Sequence, residues 1–197
     1  MGIEYELKFQ ATADALAAIE KAFELCPRQS FQMQTTYFDT PSGALSSRHY
    51  TLRQRLENGK RVCTLKTPAG GFSRNELELE CDDLSCAIDY FCKNGAPEDF
   101  RQLIAEGLIA VCGAKFHCTA ISVELENTSV ELALDSGILT GGQKSIPLCE
   151  VEVELKSGTK ESANFFAAQL ACKHRLALET KSKFRRALTL YQEGESV

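Results

Sequence analysis

Two carboxylates and an ammonium group stand on alternate residues at Glu4, Glu6 and Lys8, within the unbroken alternation Ile3-Glu4-Tyr5-Glu6-Leu7-Lys8-Phe9. Alternation of period two marks a half-buried β-strand, because successive side chains point to opposite faces. Glu4, Glu6 and Lys8 therefore share one face, and Ile3, Tyr5, Leu7 and Phe9 share the other. Hard carboxylate oxygens suit a divalent cation, and a positive charge beside them suits a phosphate. A solvated strand face with a Glu–Lys pair reads the same way in isolation, so what matters is whether the pattern recurs.

It recurs along most of the chain. Arg53 and Arg55 share a face opposite Leu52, Gln54 and Leu56, and Thr64 shares one with Lys66. Glu76, Glu78 and Glu80 lie opposite Leu77 and Leu79, and Glu150, Glu152, Glu154 and Lys156 lie opposite Val151, Val153 and Leu155. An antiparallel sheet with one wet face also alternates. Rows of like charge are nevertheless poor choices for stability alone, since like charges on one face repel. They fit carboxylates gathered around metal, and guanidinium and ammonium groups gathered around phosphate. About eight such strands can close into a barrel. With the ionic faces inward, low dielectric strengthens charge–charge terms and makes unpaired charge costly, so such a lumen calls for a bound polyanion and metal, or for water. The apolar faces then point outward and need helices to cover them.

The elements that must position these rows are legible in outline. Thr12 can cap a helix through Ala15–Phe23 that Cys26-Pro27 closes. Strands follow from about 32 to 81, with a turn at 40–43 and a hairpin around Asn58-Gly59. Residues 85–107 read as helical, with Pro97 in the first turn of a second short helix and Gly107 at its end. Strands return at 115–126, 129–135 and 149–156, with Asn127, Gly137 and Gly141-Gly142 as breaks. A helix then carries Phe165, Phe166, Leu170 and Leu176 on its apolar face, and a short polar stretch ends in Lys183-Phe184-Arg185-Arg186. The order of elements argues an α+β fold with a mostly antiparallel sheet, as one domain over residues 1–197.

The totals narrow the function. A formal net charge of −5 leaves no global basic field, so no nucleic-acid polymer is expected as a partner. The start of the chain is charged, and no apolar run approaches a membrane span, so neither a secretory signal nor a membrane partner is expected. The nine cysteines include no Cys-x-x-Cys and read as reduced, mostly buried packing residues of a cytoplasmic protein. Either a monomer or a homodimer is compatible with the sequence.

Taken in order, these motifs resemble the CYTH superfamily, the triphosphate tunnel metalloenzymes, and most closely the bacterial inorganic triphosphatases. Glu4-x-Glu6-x-Lys8 resembles the superfamily's N-terminal signature, and Thr36-Tyr37-Phe38-Asp39-Thr40-Pro41 its Tyr-Tyr-Asp-Thr-Pro strand. Leu52-Arg53-x-Arg55, Thr64-Leu65-Lys66, Arg74-x-Glu76, Ala133-Leu134-Asp135, Cys149-Glu150-x-Glu152-x-Glu154 and Ser182-Lys183-x-x-Arg186 follow in the family's order. The resemblance implies a closed antiparallel tunnel with about eight strands that binds triphosphate end-on with Mg²⁺ or Mn²⁺, as a pair of ions. By position, Glu4, Glu6, Glu150 and Glu152 would hold metal, assisted by Asp135. Lys8, Arg53, Arg55, Lys66, Lys183 and Arg186 would cradle phosphates, and Glu76 would line the tunnel. Glu4, Glu6, Lys8, Lys66 and Tyr37 would act on the reacting phosphate, with Tyr37 near the scissile end. One segment departs from the pattern. In Lys115-Phe116-His117-Cys118-Thr119-Ala120, Cys118 stands where relatives carry Arg, and Lys115 or His117 would have to supply the missing cation. The first functional reading is hydrolysis of inorganic triphosphate. The alternatives are a class IV-type adenylate cyclase, another organic triphosphate phosphatase such as one for thiamine or nucleoside triphosphate, or a module that binds polyphosphate without cleaving it.

Overall fold

The structure is a computed structural model that describes residues 2–194. Its elements are β1 (Gly2–Gln10), α1 (Ala13–Ala22), β2 (Arg28–Asp39), α2 (Ala44–Ser47), β3 (Thr51–Glu57), β4 (Lys60–Pro68), β5 (Ser73–Glu80), α3 (Leu84–Lys93), α4 (Phe100–Leu103), β6 (Ile109–Leu125), β7 (Thr128–Gly141), β8 (Lys144–Ser157), α5 (Lys160–His174), β9 (Ala177–Leu178) and α6 (Lys183–Gly194). The strands hydrogen-bond in the order β5-β4-β3-β2-β6-β7-β8-β1, all antiparallel, and β1 pairs again with β5 to close an eight-stranded barrel. Closure depends on β1 serving two partners. Gly2–Tyr5 pair with Ser73–Glu76 of β5, Glu6–Gln10 pair with Glu150–Glu154 of β8, and the two-residue β9 fills in beside Phe9 and Gln10.

Local chemistry sets the corners. Asn58 and Gly59 both have positive φ, 48° and 90°, as a two-residue hairpin between β3 and β4 requires. Thr12 caps α1 by accepting the Ala15 N–H at 3.1 Å. Asp39 is buried at the end of β2 and accepts from the amides of Thr40, Leu45 and Ser46 at 2.8, 2.9 and 3.1 Å, which fixes α2 over one end of the barrel.

Two apolar layers lie outside the barrel, as the alternation predicts. Leu16 and Ile19 of α1 and Ala163, Ala167 and Leu170 of α5 cover Leu7, Phe9, Leu132, Val151 and Val153. On the opposite side Phe91 of α3 and Phe100 near α4 cover Leu52, Leu65 and Leu77. Ile3 is expected on the first of these faces, but its side chain lies outside the described residues. No helix among the described residues is long and apolar enough to cross a membrane.

A third apolar cluster lies within the barrel. Met33, Tyr37, Phe116, Cys118, Leu139 and Leu148 turn inward and meet Phe184, Ala187 and Leu188 of α6. The lumen is therefore ionic on one side and apolar on the other, where the alternation alone implied charge all round. The segment read as a polar stretch ending at Arg186 is the start of α6, and this helix seals part of one end. It approaches so closely that a Cβ on Gly141 would lie 2.3 Å from the Ala187 carbonyl oxygen. Smaller corrections follow the same logic. Gly137 continues β7 instead of breaking it, because a Cβ there would strike the Phe116 backbone at 2.5 Å. Phe165 is 66% exposed, and Leu176 lies beyond the end of α5. All nine cysteines are free, but only Cys63, Cys112 and Cys118 are fully buried.

Candidate active site

A cavity of about 670 Å³ runs through the barrel. Strand parity delivers most of the expected residues to it. Glu4, Glu6 and Lys8 of β1, Tyr37 of β2, Arg53 and Arg55 of β3, Lys66 of β4, Glu76 of β5, Asp135 of β7, Glu152 of β8 and Lys183 of α6 all line this lumen.

Their charges interlock in three groups. Lys66 Nζ donates to both carboxylate oxygens of Glu4, at 2.8 and 2.5 Å, and lies 3.4 Å from Glu76, which also approaches Arg53 at 3.6 Å. Lys8 Nζ donates to Glu6 at 2.7 Å. Lys183 Nζ sits among three carboxylates, at 2.7 Å from Asp135, 2.5 Å from Glu150 and 2.7 Å from Glu152. Arg186 holds the other oxygen of Glu150 at 2.6 Å, so Glu150 is fully buried and fully paired.

Arg55 is different. Its Nε donates to the Thr35 hydroxyl at 3.3 Å and its guanidinium lies 5.9 Å from the Phe116 ring centre, but it makes no ion pair among the described residues. Burial and the neighbouring Arg53 both lower its pKa, the signature of a cation held where cation is disfavoured. Arg53 Nε is itself buried without a hydrogen-bond partner. The lumen thus contains two guanidinium groups on one strand face, Arg53 supported by Glu76 but with a hydrogen-bond donor unanswered, and Arg55 with no carboxylate partner.

The acidic wall has the opposite character. Burial raises the pKa of Asp135 and of Glu150, whereas for Glu152 the ammonium groups of Lys183 and Lys8 outweigh burial and hold the carboxylate ionised. For Lys183 burial is outweighed by Asp135, Glu152 and Glu150, and the ammonium is kept well above its ordinary range. Oxygens of Asp135, Glu150 and Glu152 lie within 4.8 Å of one another, and Asp135 Oδ1 is buried with no partner. On the neighbouring staves Glu154 stands in register between Glu131 and Glu6, with Lys156 paired to Glu131 and Glu154 and Lys8 to Glu6. The lumen oxygens of Glu4, Glu6 and Glu152 are hard donors that fit a divalent cation of the Mg²⁺ or Mn²⁺ kind. Lys183 already fills the centre of the Asp135–Glu150–Glu152 group, while Glu4, Glu6 and the edge of Glu152 face the lumen.

Lys115 is misplaced by the sequence reading. It lies on the outward parity of β6, exposed beside His117, which meets Gln32 at 3.2 Å on the outer surface. The lumen positions of β6 are Phe116, Cys118 and Ala120, so no cation replaces the arginine expected at 118. Burial and Asp135 push the Cys118 thiol pKa far up, and the thiol stays neutral. Tyr37 packs on Phe184 with ring centres 5.2 Å apart. Glu179 was missed: it is buried where the chain leaves β9, accepts from Gln10 at 2.7 Å and lies 3.4 Å from Arg186. Its one sequence signal is its place just ahead of the Ser182-Lys183 motif. Phe184, Ala187, Leu188 and Tyr191 recur at helical spacing, so α6 also had a readable signal.

Fold and lumen together define a closed antiparallel β-tunnel with an ionic wall of both signs. The profile of the CYTH domain matches residues 2–188, and the chain belongs to the CYTH family. It is 28% identical over 172 residues to an inorganic triphosphatase of Haemophilus influenzae, a match covering 85% of this chain and 48% of that protein. It is 42% identical over 85 residues to YjbK of Bacillus subtilis, provisionally named a triphosphatase, covering 42% of this chain and 45% of that one. The matches thus span about half the length of these curated relatives. Among solved structures, HpAC1 from Hippeastrum, described as an adenylyl cyclase candidate with a dominant triphosphatase activity, superposes with a TM-score of 0.62 at 16% identity. That superposition covers 98% of this chain and 96% of HpAC1, and at such identity it speaks for the fold.

Proposed function

We propose that this chain hydrolyses the terminal phosphate of inorganic triphosphate bound in the tunnel, with Mg²⁺ or Mn²⁺ as cofactor. The observation that carries the reading is the Arg53–Arg55 pair, two half-buried arginines on one face of β3, one with no carboxylate partner and the other with a buried N–H left unanswered. A linear polyanion laid along β3 answers both. The named triphosphatases among the relatives support the same chemistry.

The chain's own groups would divide the work. Arg53, Arg55 and Lys66 hold phosphate oxygens and neutralise charge that builds on them as the terminal bond breaks. Lys66 starts in the grip of Glu4, so a phosphate that draws its ammonium away frees Glu4 oxygens toward the lumen. Glu4, Glu6 and Glu152 would hold the divalent cation. When bound, that cation supplies charge neutralisation and a more acidic water for in-line attack. Lys183 and Arg186 hold Glu150 and Glu152 in place and keep the acidic wall from collapsing inward. Phe116, Met33 and Phe184 close the far wall against bulk water.

The test is phosphate release from tripolyphosphate, ATP and thiamine triphosphate with each metal, with cyclic AMP assayed in parallel. Release from tripolyphosphate in clear preference to the others is expected. Cyclic AMP from ATP would overturn the reading in favour of a cyclase. Tight binding of tripolyphosphate without turnover would make the chain a polyphosphate-binding module.

A further inference from the structure

The two mouths of the tunnel carry opposite charge, and β3 and β5 each show the gradient independently. β3 runs inward from Thr51, beside α2, through Arg53 and Arg55 to Glu57 at the hairpin. β5 carries Arg74 at its start, beside the β4–β5 turn, and passes through Glu76 to Glu78. β8 is acidic along its whole inward face, from Glu150 at the α6 end through Glu152 to Glu154, with Glu131 of β7 opposite the last. The mouth between α2, the β4–β5 turn and the β9–α6 link is basic. Arg74 there donates only to the backbone carbonyls of Gly71 and Ser73, and Lys181 and Arg185 are exposed and make no ion pair among the described residues. The other mouth carries Glu57, Glu78, Glu131 and Glu154, with Lys156 paired to the last two at 3.3 and 2.9 Å.

Such an arrangement acts on a polyanion along its whole path. A narrow passage with low-dielectric walls focuses the field of its rim, and rings of carboxylates pass cations and repel anions. Each phosphate added to a linear chain carries a further negative charge toward the acidic rim. We propose that the tunnel is directional and limits chain length: an oligophosphate enters at the Arg74–Lys181–Arg185 mouth, and Glu57, Glu78 and Glu131 stop it from passing through the other. This rests on the triphosphate reading of the lumen, and it adds the specificity that separates short chains from long ones.

The experiment compares tripolyphosphate with long-chain polyphosphate on the full chain, by calorimetric binding and by phosphate release with Mg²⁺. The wild type is expected to favour tripolyphosphate by about tenfold or more on both readouts. The triple variant Glu57→Gln, Glu78→Gln, Glu131→Gln is expected to raise long-chain binding and turnover by about tenfold and leave tripolyphosphate within about twofold. Arg74→Gln with Arg185→Gln is expected to raise KM for tripolyphosphate severalfold and flatten its salt dependence, with kcat kept. A long-to-short ratio that the triple variant leaves unchanged overturns the proposal, as does a wild type that takes both chains equally well. Should the triple variant melt early, Glu78→Gln alone, at an exposed position, must shift the ratio in the same direction. Binding keeps the two readings separable. If tripolyphosphate binds and is not cleaved, the hydrolysis reading fails while the chain-length ratio still decides this one.

Discussion

Lys183 Nζ lies 2.5 Å from Glu150 Oε1, and that glutamate has no solvent exposure at all. The same ammonium bonds Asp135 and Glu152, so one cation from α6 ties together three carboxylates from β7 and β8. Removing one partner of a buried ionic group strands the others, at a cost on the order of 3–5 kcal/mol. Lys183→Met is therefore expected to destabilise by about that amount in denaturant unfolding. Adding Asp135→Asn should recover part of the loss. A variant as stable as the wild type would show that the cluster is neutralised by something other than Lys183.

Arg55 predicts the reverse balance. It is buried beside Arg53 without a carboxylate, so its charge costs stability and serves the ligand. Arg55→Gln is expected to leave the melting temperature unchanged or higher, and to lower kcat/KM for tripolyphosphate by about 10²–10³, as loss of one charge-stabilising donor does elsewhere. A fall in stability with activity retained would place Arg55 in the framework instead.

Glu6 is held by Lys8 alone among the described residues and faces the lumen. Glu6→Gln is expected to keep the fold, to abolish metal-supported turnover and to weaken Mn²⁺ binding followed by electron paramagnetic resonance. Chelation of the wild type should stop turnover, and Mg²⁺ or Mn²⁺ should restore it. Turnover that persists in both Glu6→Gln and Glu4→Gln overturns the assignment of these carboxylates to metal.

The acid limb of stability can be read from Glu152. Burial alone would raise its pKa, but Lys183 and Lys8 prevail and depress it well below the ordinary 4.5. Near pH 4.5 the unfolded chain then binds more protons at this site than the folded one, so the stabilisation is complete above that pH and is lost as pH falls. Glu152→Gln lacks it. The gap in melting temperature between wild type and variant is expected to be widest above about pH 6 and to narrow steadily as pH falls below about 4.5. A gap independent of pH would count against the ionised state of Glu152.

Alternation made β1, β3, β5 and β8 readable because each carries unlike residues on its two faces, and Glu4, Arg53, Glu76 and Glu152 all arrive where parity puts them. β6 was misread for a physical reason. Its lumen face must be apolar at Phe116 and Cys118 to receive Phe184 of α6, so the rule that charge points inward inverts there and Lys115 goes to the surface. Closure of the ring also lay beyond local pattern, since nothing in Gly2–Tyr5 names Ser73–Glu76 as its partner.

That closure governs when the site can exist during synthesis. β1 is made well before its partner β8, so Glu6 waits for Glu154 and Lys8 for Glu152, and Lys8 then receives the Glu179 amide on its carbonyl at 2.8 Å. Until β8 and β9 have left the ribosome, the carboxylates of β1 have no wall to belong to, and the nascent chain carries an unpaired strand of alternating charge that resists pairing with strangers.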